Sequence, residues 1–202
     1  ALGLDRVMLL GHSWGGCLAA TYALTDPPGL VGLVLASPLL STERWLEDAA
    51  ALRSELPEEV RDVLDRHEAA GATDCPEYIS AAVAFYKRHL CRLEPWPEPL
   101  ERTWSNMGLD VYVAMWGPTE FHATGSLRGY DLTPDLSRIA VPTLLTCGRF
   151  DEARPATVAA FRDLIPGASL AVFEESSHTP HLEEPERFLD VVGRFLRDVD
   201  RA

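Results

Sequence analysis

Three short stretches of the 202-residue chain combine residue types that do chemistry together. The first is Gly11-His12-Ser13-Trp14-Gly15. An apolar run, Val7 to Leu10, precedes it, and a helix-forming run, Cys17 to Leu24, follows. Strand, G-x-S-x-G and helix in that order predict a nucleophile elbow, with Ser13 standing above the end of the strand. The turn is tight enough to demand small residues beside the serine, which suits Gly11 and Gly15. The first amide of the helix, Trp14 N–H, is then aimed where an oxyanion would form. The bland alternative is a glycine-rich strand-to-helix turn with an incidental serine.

A serine nucleophile needs a base, and the base needs an orienting carboxylate. The second stretch, Arg149-Phe150-Asp151-Glu152, and the third, Glu174-Glu175-Ser176-Ser177-His178, follow later apolar runs in the order serine, acid, histidine. Asp151 is the expected acid, accepting from the Nδ1–H of His178, and His178 the expected base for Ser13. Asp151 could instead cap the next helix, and His178 could be a surface residue. His181 is a rival base three residues on. His12 is expected to pack against the elbow, and His67, His89 and His122 to be solvated or hydrogen-bonded. A serine at position 13 excludes chemistry that uses an aspartate nucleophile there.

The elements that must position these residues read as an α/β fold. Leu4 to Leu10 predicts a strand, Trp14 to Leu24 a helix, and Leu30 to Ala36 a strand buried on both faces. That β-α-β unit is the building block of a parallel sheet. From about Ser41 to Ser137 the pattern is helical, with proline-rich breaks. Helices are predicted from Ser41 or Thr42 to Leu56, Pro57 to Gly71, and onward from Asp74 or Pro76. Shorter ones follow over Leu100 to Met107 and Asp110 to Trp116. Trp45, Trp96, Trp104 and Trp116 lie in this insertion, as a small core or as the lining of a ligand pocket. The sheet pattern resumes with Val141 to Gly148, a helix from Pro155 to Ile165, and a strand over Ser169 to Phe173. The last helix starts at Pro185, with Phe188, Leu189, Val192, Phe195, Leu196 and Val199 on one face. The expected division is a core of residues 1–40 and 138–202 around a helical cap of residues 41–137.

The formal charge of −13 argues against nucleic acid or an anionic membrane as partner. Cys17, Cys75, Cys91 and Cys147 are scattered, with no metal-binding spacing. No metal or other cofactor is expected. A reducing, cytoplasmic setting is the simplest reading of the cysteines. Nothing reads as a signal peptide or a membrane span.

These residues carry a family resemblance through nearly the whole chain. It resembles the α/β-hydrolase proline iminopeptidases, in particular the branch with the tricorn-interacting aminopeptidase and L-amino acid amidases. Gly11 to Gly16 looks like the family elbow, and Gly148 to Glu152 and Ser176 to His178 like its acid and histidine loops. More specific are the cap phrases Trp96-Pro97-Glu98-Pro99-Leu100, Trp104-Ser105-Asn106-Met107 and Met115-Trp116-Gly117-Pro118-Thr119-Glu120-Phe121. The resemblance implies the C-terminal portion of an α/β-hydrolase fold with a helical cap. It also implies a serine aminopeptidase that releases proline or another hydrophobic residue. The substrates would be short peptides or amino acid amides with a free N-terminus. Glu120 and Glu152 match the two glutamates that hold the substrate ammonium in that family.

The family's first strands and its His-Gly-Gly-Pro-Gly loop have no counterpart in these 202 residues. That leaves Trp14 N–H as the expected oxyanion donor and the elbow strand as an expected sheet edge. An N-terminally truncated enzyme is the expectation, or one completed by a partner chain. The alternatives are a general esterase or amidase using the same triad, and a catalytically impaired fragment.

Overall fold

The computed structural model describes residues 4–201. They form two compact units: one is everything up to Ser41 together with everything from Asp131 on, and the other is Thr42–Tyr130.

The first unit opens with β1 (Val7–His12), α1 (Trp14–Ala23) and β2 (Leu30–Ala36). The strand begins and ends later than the apolar run suggested. Leu30, the start of β2, pairs with Val7, and the ladder runs through Gly11 and His12 opposite Leu35 and Ala36. Pairing with β2, rather than side-chain hydropathy, sets those bounds.

The second unit contains α2 (Thr42–Arg53), α3 (Glu58–Ala70), α4 (Pro76–His89), α5 (Glu98–Ser105) and α6 (Leu109–Met115). The helices occur where sequence placed them, with ends shifted by a few residues. Tyr78, Ala81, Ala82, Phe85 and Tyr86 form the buried stripe of α4 at helical spacing. They pack with Leu52, Leu56, Leu64 and Phe121 into the core of this unit. Arg53 ties α2 to α3 through Asp65 (2.7 Å) and Glu68 (2.8 Å). Gly71 ends α3 in the left-handed conformation, at φ 64°.

The chain re-enters the first unit through β3 (Thr143–Gly148), α7 (Pro155–Leu164) and β4 (Ser169–Phe173). A short α8 (Pro180–Glu183), absent from the sequence reading, precedes the long α9 (Pro185–Arg201). The sheet is parallel in the order β1-β2-β3-β4. Its inner strands are the continuous apolar runs, and Leu33, Val34, Leu35 and Leu145 are fully buried. Phe188 and Val192 of α9 pack on Val34, Leu144 and Phe173. Leu189 does not join that face; at 71% it is the most exposed large apolar residue described. Among the described residues β1 is an edge strand, and Leu10, Trp14, Leu18 and Tyr22 on β1 and α1 are exposed.

Register matters most for function. His12 stands opposite Ala36, Ala36 opposite Thr146, and Gly148 opposite Phe173. Ser13, Ser37, Asp151 and His178 therefore all leave the sheet along its C-terminal edge, where parallel α/β sheets build their sites.

Candidate active site

The elbow is built as its sequence demands. Ser13 takes φ 55° and ψ −121°, a conformation costing on the order of 1–3 kcal/mol for a residue with a Cβ. Backbone hydrogen bonds hold it there. Ser13 N–H donates to Ala36 (2.9 Å), and its carbonyl accepts from Gly16 (2.9 Å) and Leu39 (3.3 Å). Gly11 is required, since a Cβ there would lie 2.1 Å from the carbonyl oxygen of Gly15. The expectation for Gly15 is not met, because a Cβ at that position would find open space. The second tight glycine is Gly16, whose Cβ would lie 2.8 Å from the Pro38 ring.

Asp151 and His178 meet directly. His178 Nδ1 is 2.8 Å from Asp151 Oδ1, with both side chains nearly inaccessible. The donor is Nδ1–H, leaving Nε2 as the basic nitrogen. The Asp151 carboxylate is saturated by donors: Ser37 Oγ–H (2.6 Å) and Gly148 N–H (3.1 Å) on Oδ2, and Ala153 N–H (2.9 Å) on Oδ1. The Ala153 bond shows that Asp151 also shapes its own turn, although α7 begins only at Pro155. The approach of the two loops is close. A Cβ on Gly148 would lie 2.1 Å from the carbonyl oxygen of Ser177.

The rival base packs elsewhere. The His181 ring sits edge-on to His12 (5.1 Å) and Phe188 (5.9 Å), and its burial, with His178 nearby, lowers its pKa. His12 does more than pack against the elbow. Its Nε2–H donates to the His178 carbonyl at 2.7 Å, and the two rings lie 4.7 Å apart. Desolvation, then the neighbouring His178, brings the His12 pKa down to about 3.

Sequence reasoning missed the supports of the histidine loop. Glu183 on α8 accepts from Ser177 N–H (2.9 Å), from Ser177 Oγ–H (2.9 Å) and from Thr179 Oγ–H (3.1 Å). Glu184 accepts from Ser176 Oγ–H at 2.6 Å. Ser37 was missed as well. It is fully buried at φ 47°, and its signal is its place immediately after β2 on the functional edge of the sheet.

Glu152 is fully buried, and its Oε1 lies 3.7 Å from His178 Nε2. Glu120 belongs to the helical unit. Its Oε1 accepts from Tyr112 O–H at 2.7 Å, and its carbonyl accepts from Trp45 Nε1–H at 2.8 Å. Of the remaining histidines, His67 contacts Glu77 (2.9 Å), His89 stacks on Phe85, and His122 lies 3.7 Å from Glu68. All four cysteines are free thiols, and burial raises the pKa of Cys147 well above the usual range. No helix among the described residues is long and apolar enough to cross a membrane.

With this geometry in place, comparison with known proteins is specific. Residues 1–191 match a model of the alpha/beta hydrolase family. A proline iminopeptidase of Heyndrickxia coagulans is 44% identical over 200 residues, covering 98% of this chain and 69% of that protein. One of Saccharolobus solfataricus is 38% identical, covering 98% and 64%. Among solved structures, VinJ superposes with a TM-score of 0.93 at 46% identity, covering 97% of this chain and 67% of that one. A Mycobacterium smegmatis proline iminopeptidase gives 0.90 at 43%, covering 98% and 67%. The chain thus spans about two-thirds of the length of these relatives, between 64% and 69%.

Proposed function

Because the chain belongs to the proline iminopeptidase family of the α/β-hydrolase superfamily, we propose that Ser13, His178 and Asp151 form the catalytic triad of an aminopeptidase, which releases an N-terminal proline or other hydrophobic residue from peptides or amino acid amides. The enzyme class, a serine hydrolase of this family, follows from the relatives themselves. The assignment of residues and substrate is our reading, and within it the branch with tricorn-interacting aminopeptidase and amino acid amidases is the best match for the cap phrases.

One observation carries the reading: a buried carboxylate, Glu152, lies 3.7 Å from the basic nitrogen of a histidine already held by Asp151. The substrate's reacting bond must come to His178 Nε2, so Glu152 lies beside it. A carboxylate there complements an α-ammonium one carbon from the scissile carbonyl. It also disfavours a blocked N-terminus, which brings that carboxylate no charged hydrogen-bond donor. Glu120, in the helical unit, matches the family's other amine-binding glutamate, and the resemblance gives it the same role.

The reaction is acyl transfer. Ser13 Oγ attacks the carbonyl carbon while its proton passes to His178 Nε2, and Asp151 stabilises the imidazolium. Charge developing on the carbonyl oxygen is met by Trp14 N–H at the start of α1. Collapse breaks the C–N bond, the His178 proton leaves with the amine, and the aminoacyl group stays on Ser13. Water, deprotonated by His178, attacks that ester and frees the amino acid and Ser13.

A fluorophosphonate probe tests the nucleophile directly. Covalent labelling at Ser13, slowed at least tenfold in His178→Ala, is the expected result. Absence of label on Ser13 would sink the assignment.

A further inference from the structure

The loop that carries His178 is a connection between β4 and α8, yet Ser176, Ser177, His178 and Thr179 are all buried. Connections normally run over the surface, because buried N–H and O–H donors need partners. Here two carboxylates supply them. Glu183 Oε2 accepts from Ser177 N–H (2.9 Å), Thr179 N–H (3.3 Å) and Thr179 Oγ–H (3.1 Å), and its Oε1 accepts from Ser177 Oγ–H (2.9 Å). Glu184 Oε2 accepts from Glu175 N–H (3.1 Å) and Ser176 Oγ–H (2.6 Å).

Glu183 differs from Glu184 in what it brackets. Its bonds go to both residues that flank His178, so it grips the His178 backbone from either side. The grip is short-range. The Thr179 carbonyl accepts from the N–H groups of Leu182 (2.8 Å) and Glu183 (3.0 Å), closing a turn between the carboxylate and the loop it holds. Other bonds fix the rest of the same residue. The His178 carbonyl accepts from His12 Nε2–H (2.7 Å), and the ring donates to Asp151 (2.8 Å). The Ser176 carbonyl accepts from Phe150 N–H (3.0 Å), joining the histidine loop to the acid loop.

A base must be held close to its productive place, since a misplacement of ~1 Å can cost about 10²-fold in rate. The bond to Asp151 fixes the imidazole at one atom only. The ring's place also depends on where its backbone stands, and Glu183 holds that backbone.

We propose that Glu183 is a positioning residue for the acyl-transfer reaction, setting His178 Nε2 through the backbone on either side of it. The inference rests on His178 being the base. Geometry carries the effect, because Asp151 already supplies the carboxylate that stabilises an imidazolium. In Glu183→Gln the amide oxygen can take the place of Oε2 and keep its three bonds. The amide NH₂ can then donate to Ser177 Oγ, reversing the fourth. Glu183→Asp is one methylene short, and Glu183→Ala takes the carboxylate away from buried donors.

The test is steady-state hydrolysis of L-prolyl-4-nitroanilide by the parent and these three variants, at a temperature where circular dichroism shows each folded. Glu183→Ala and Glu183→Asp should lower kcat at least tenfold with KM within about twofold, and Glu183→Gln should keep kcat within about threefold. Proton NMR reads the ring directly. The low-field Nδ1–H resonance of His178, identified by its loss in His178→Gln, should persist in the parent and Glu183→Gln and broaden or vanish in Glu183→Ala. An unchanged kcat in Glu183→Ala overturns the proposal, and so does an unchanged resonance there. Equal loss of kcat in Glu183→Gln and Glu183→Ala overturns the geometric role. If Glu183→Ala does not fold, Ser177→Ala combined with Thr179→Val removes the hydroxyl bonds alone. That double variant should lower kcat at least threefold, and an unchanged kcat overturns the proposal. Absence of turnover in the parent removes the catalytic reading instead. The resonance needs no turnover, and it then decides alone whether Glu183 sets the ring.

Discussion

The Ser37 hydroxyl donates to Asp151 Oδ2 across 2.6 Å, both groups being buried at the C-terminal edge of the sheet. Ser37 lies 114 residues before its partner, on the far side of the helical insertion. Hydrogen bonds to charged groups are worth about 1.5–3 kcal/mol. Ser37→Ala leaves Oδ2 the Gly148 N–H alone. It should lower kcat by about tenfold on a free-amine anilide, with KM changed little. Steady-state kinetics check this, and a kcat within twofold of the parent would remove Ser37 from the positioning of Asp151.

The elbow glycines should separate sharply. Gly11→Ala forces a Cβ to within 2.1 Å of the Gly15 carbonyl, and the backbone must give. Overpacking of that kind costs about 1–3 kcal/mol. Gly15→Ala meets open space inside α1 and gains up to about 1 kcal/mol of helix propensity. Thermal denaturation should show Gly11→Ala melting lower than the parent and Gly15→Ala melting no lower. The opposite order would contradict the turn geometry.

Much of this was legible in the sequence because each signal was local. Apolar runs flanking G-x-S-x-G name the strand, the helix and the serine between them, and strands ending at Gly148 and Phe173 name the acid and histidine loops. What escaped depended on partners distant in sequence. Ser37 reads as an ordinary Ser-Pro turn until pairing of β2 with β3 brings it to Asp151. Glu183 and Glu184 look like the acidic start of a helix, yet their carboxylates clamp Ser176, Ser177 and Thr179. The bounds of β1 were missed for the same reason, since its partner β2 decides where the ladder runs. Gly15 was misjudged because motif spacing says nothing about what surrounds each glycine.

His12 should impose acid sensitivity on the fold. Its pKa is about 3 in the native chain against 6.5 for an unhindered imidazole. Between pH 6.5 and 3 the unfolded chain therefore binds the extra proton at this site. Stability is unaffected by this group above that window and falls as pH drops through it, by at most about 1.4 kcal/mol per pH unit. His181, also lowered, acts in the same direction. His12→Gln should flatten the loss of urea midpoint between pH 6.5 and 4.5. Parallel losses in parent and variant would show that His12 does not carry the effect.

The two glutamates should each matter to a free amine and not to a blocked one. Removing one member of a buried ion pair costs about 3–5 kcal/mol. Glu152→Gln should raise KM for an unblocked amino acid anilide by about 10²–10⁴-fold. Glu120, only partly buried, should give a smaller rise. Equal losses on N-acetylated substrates in both variants would take the amine-binding role from them.

The most direct measurement is hydrolysis of L-prolyl-4-nitroanilide and its N-acetyl derivative by the parent chain and by Ser13→Ala. The account predicts that the parent prefers the free amine and that Ser13→Ala lowers its turnover by at least about 10³-fold. Undiminished turnover in Ser13→Ala, or a preference for the acetylated substrate, would contradict it.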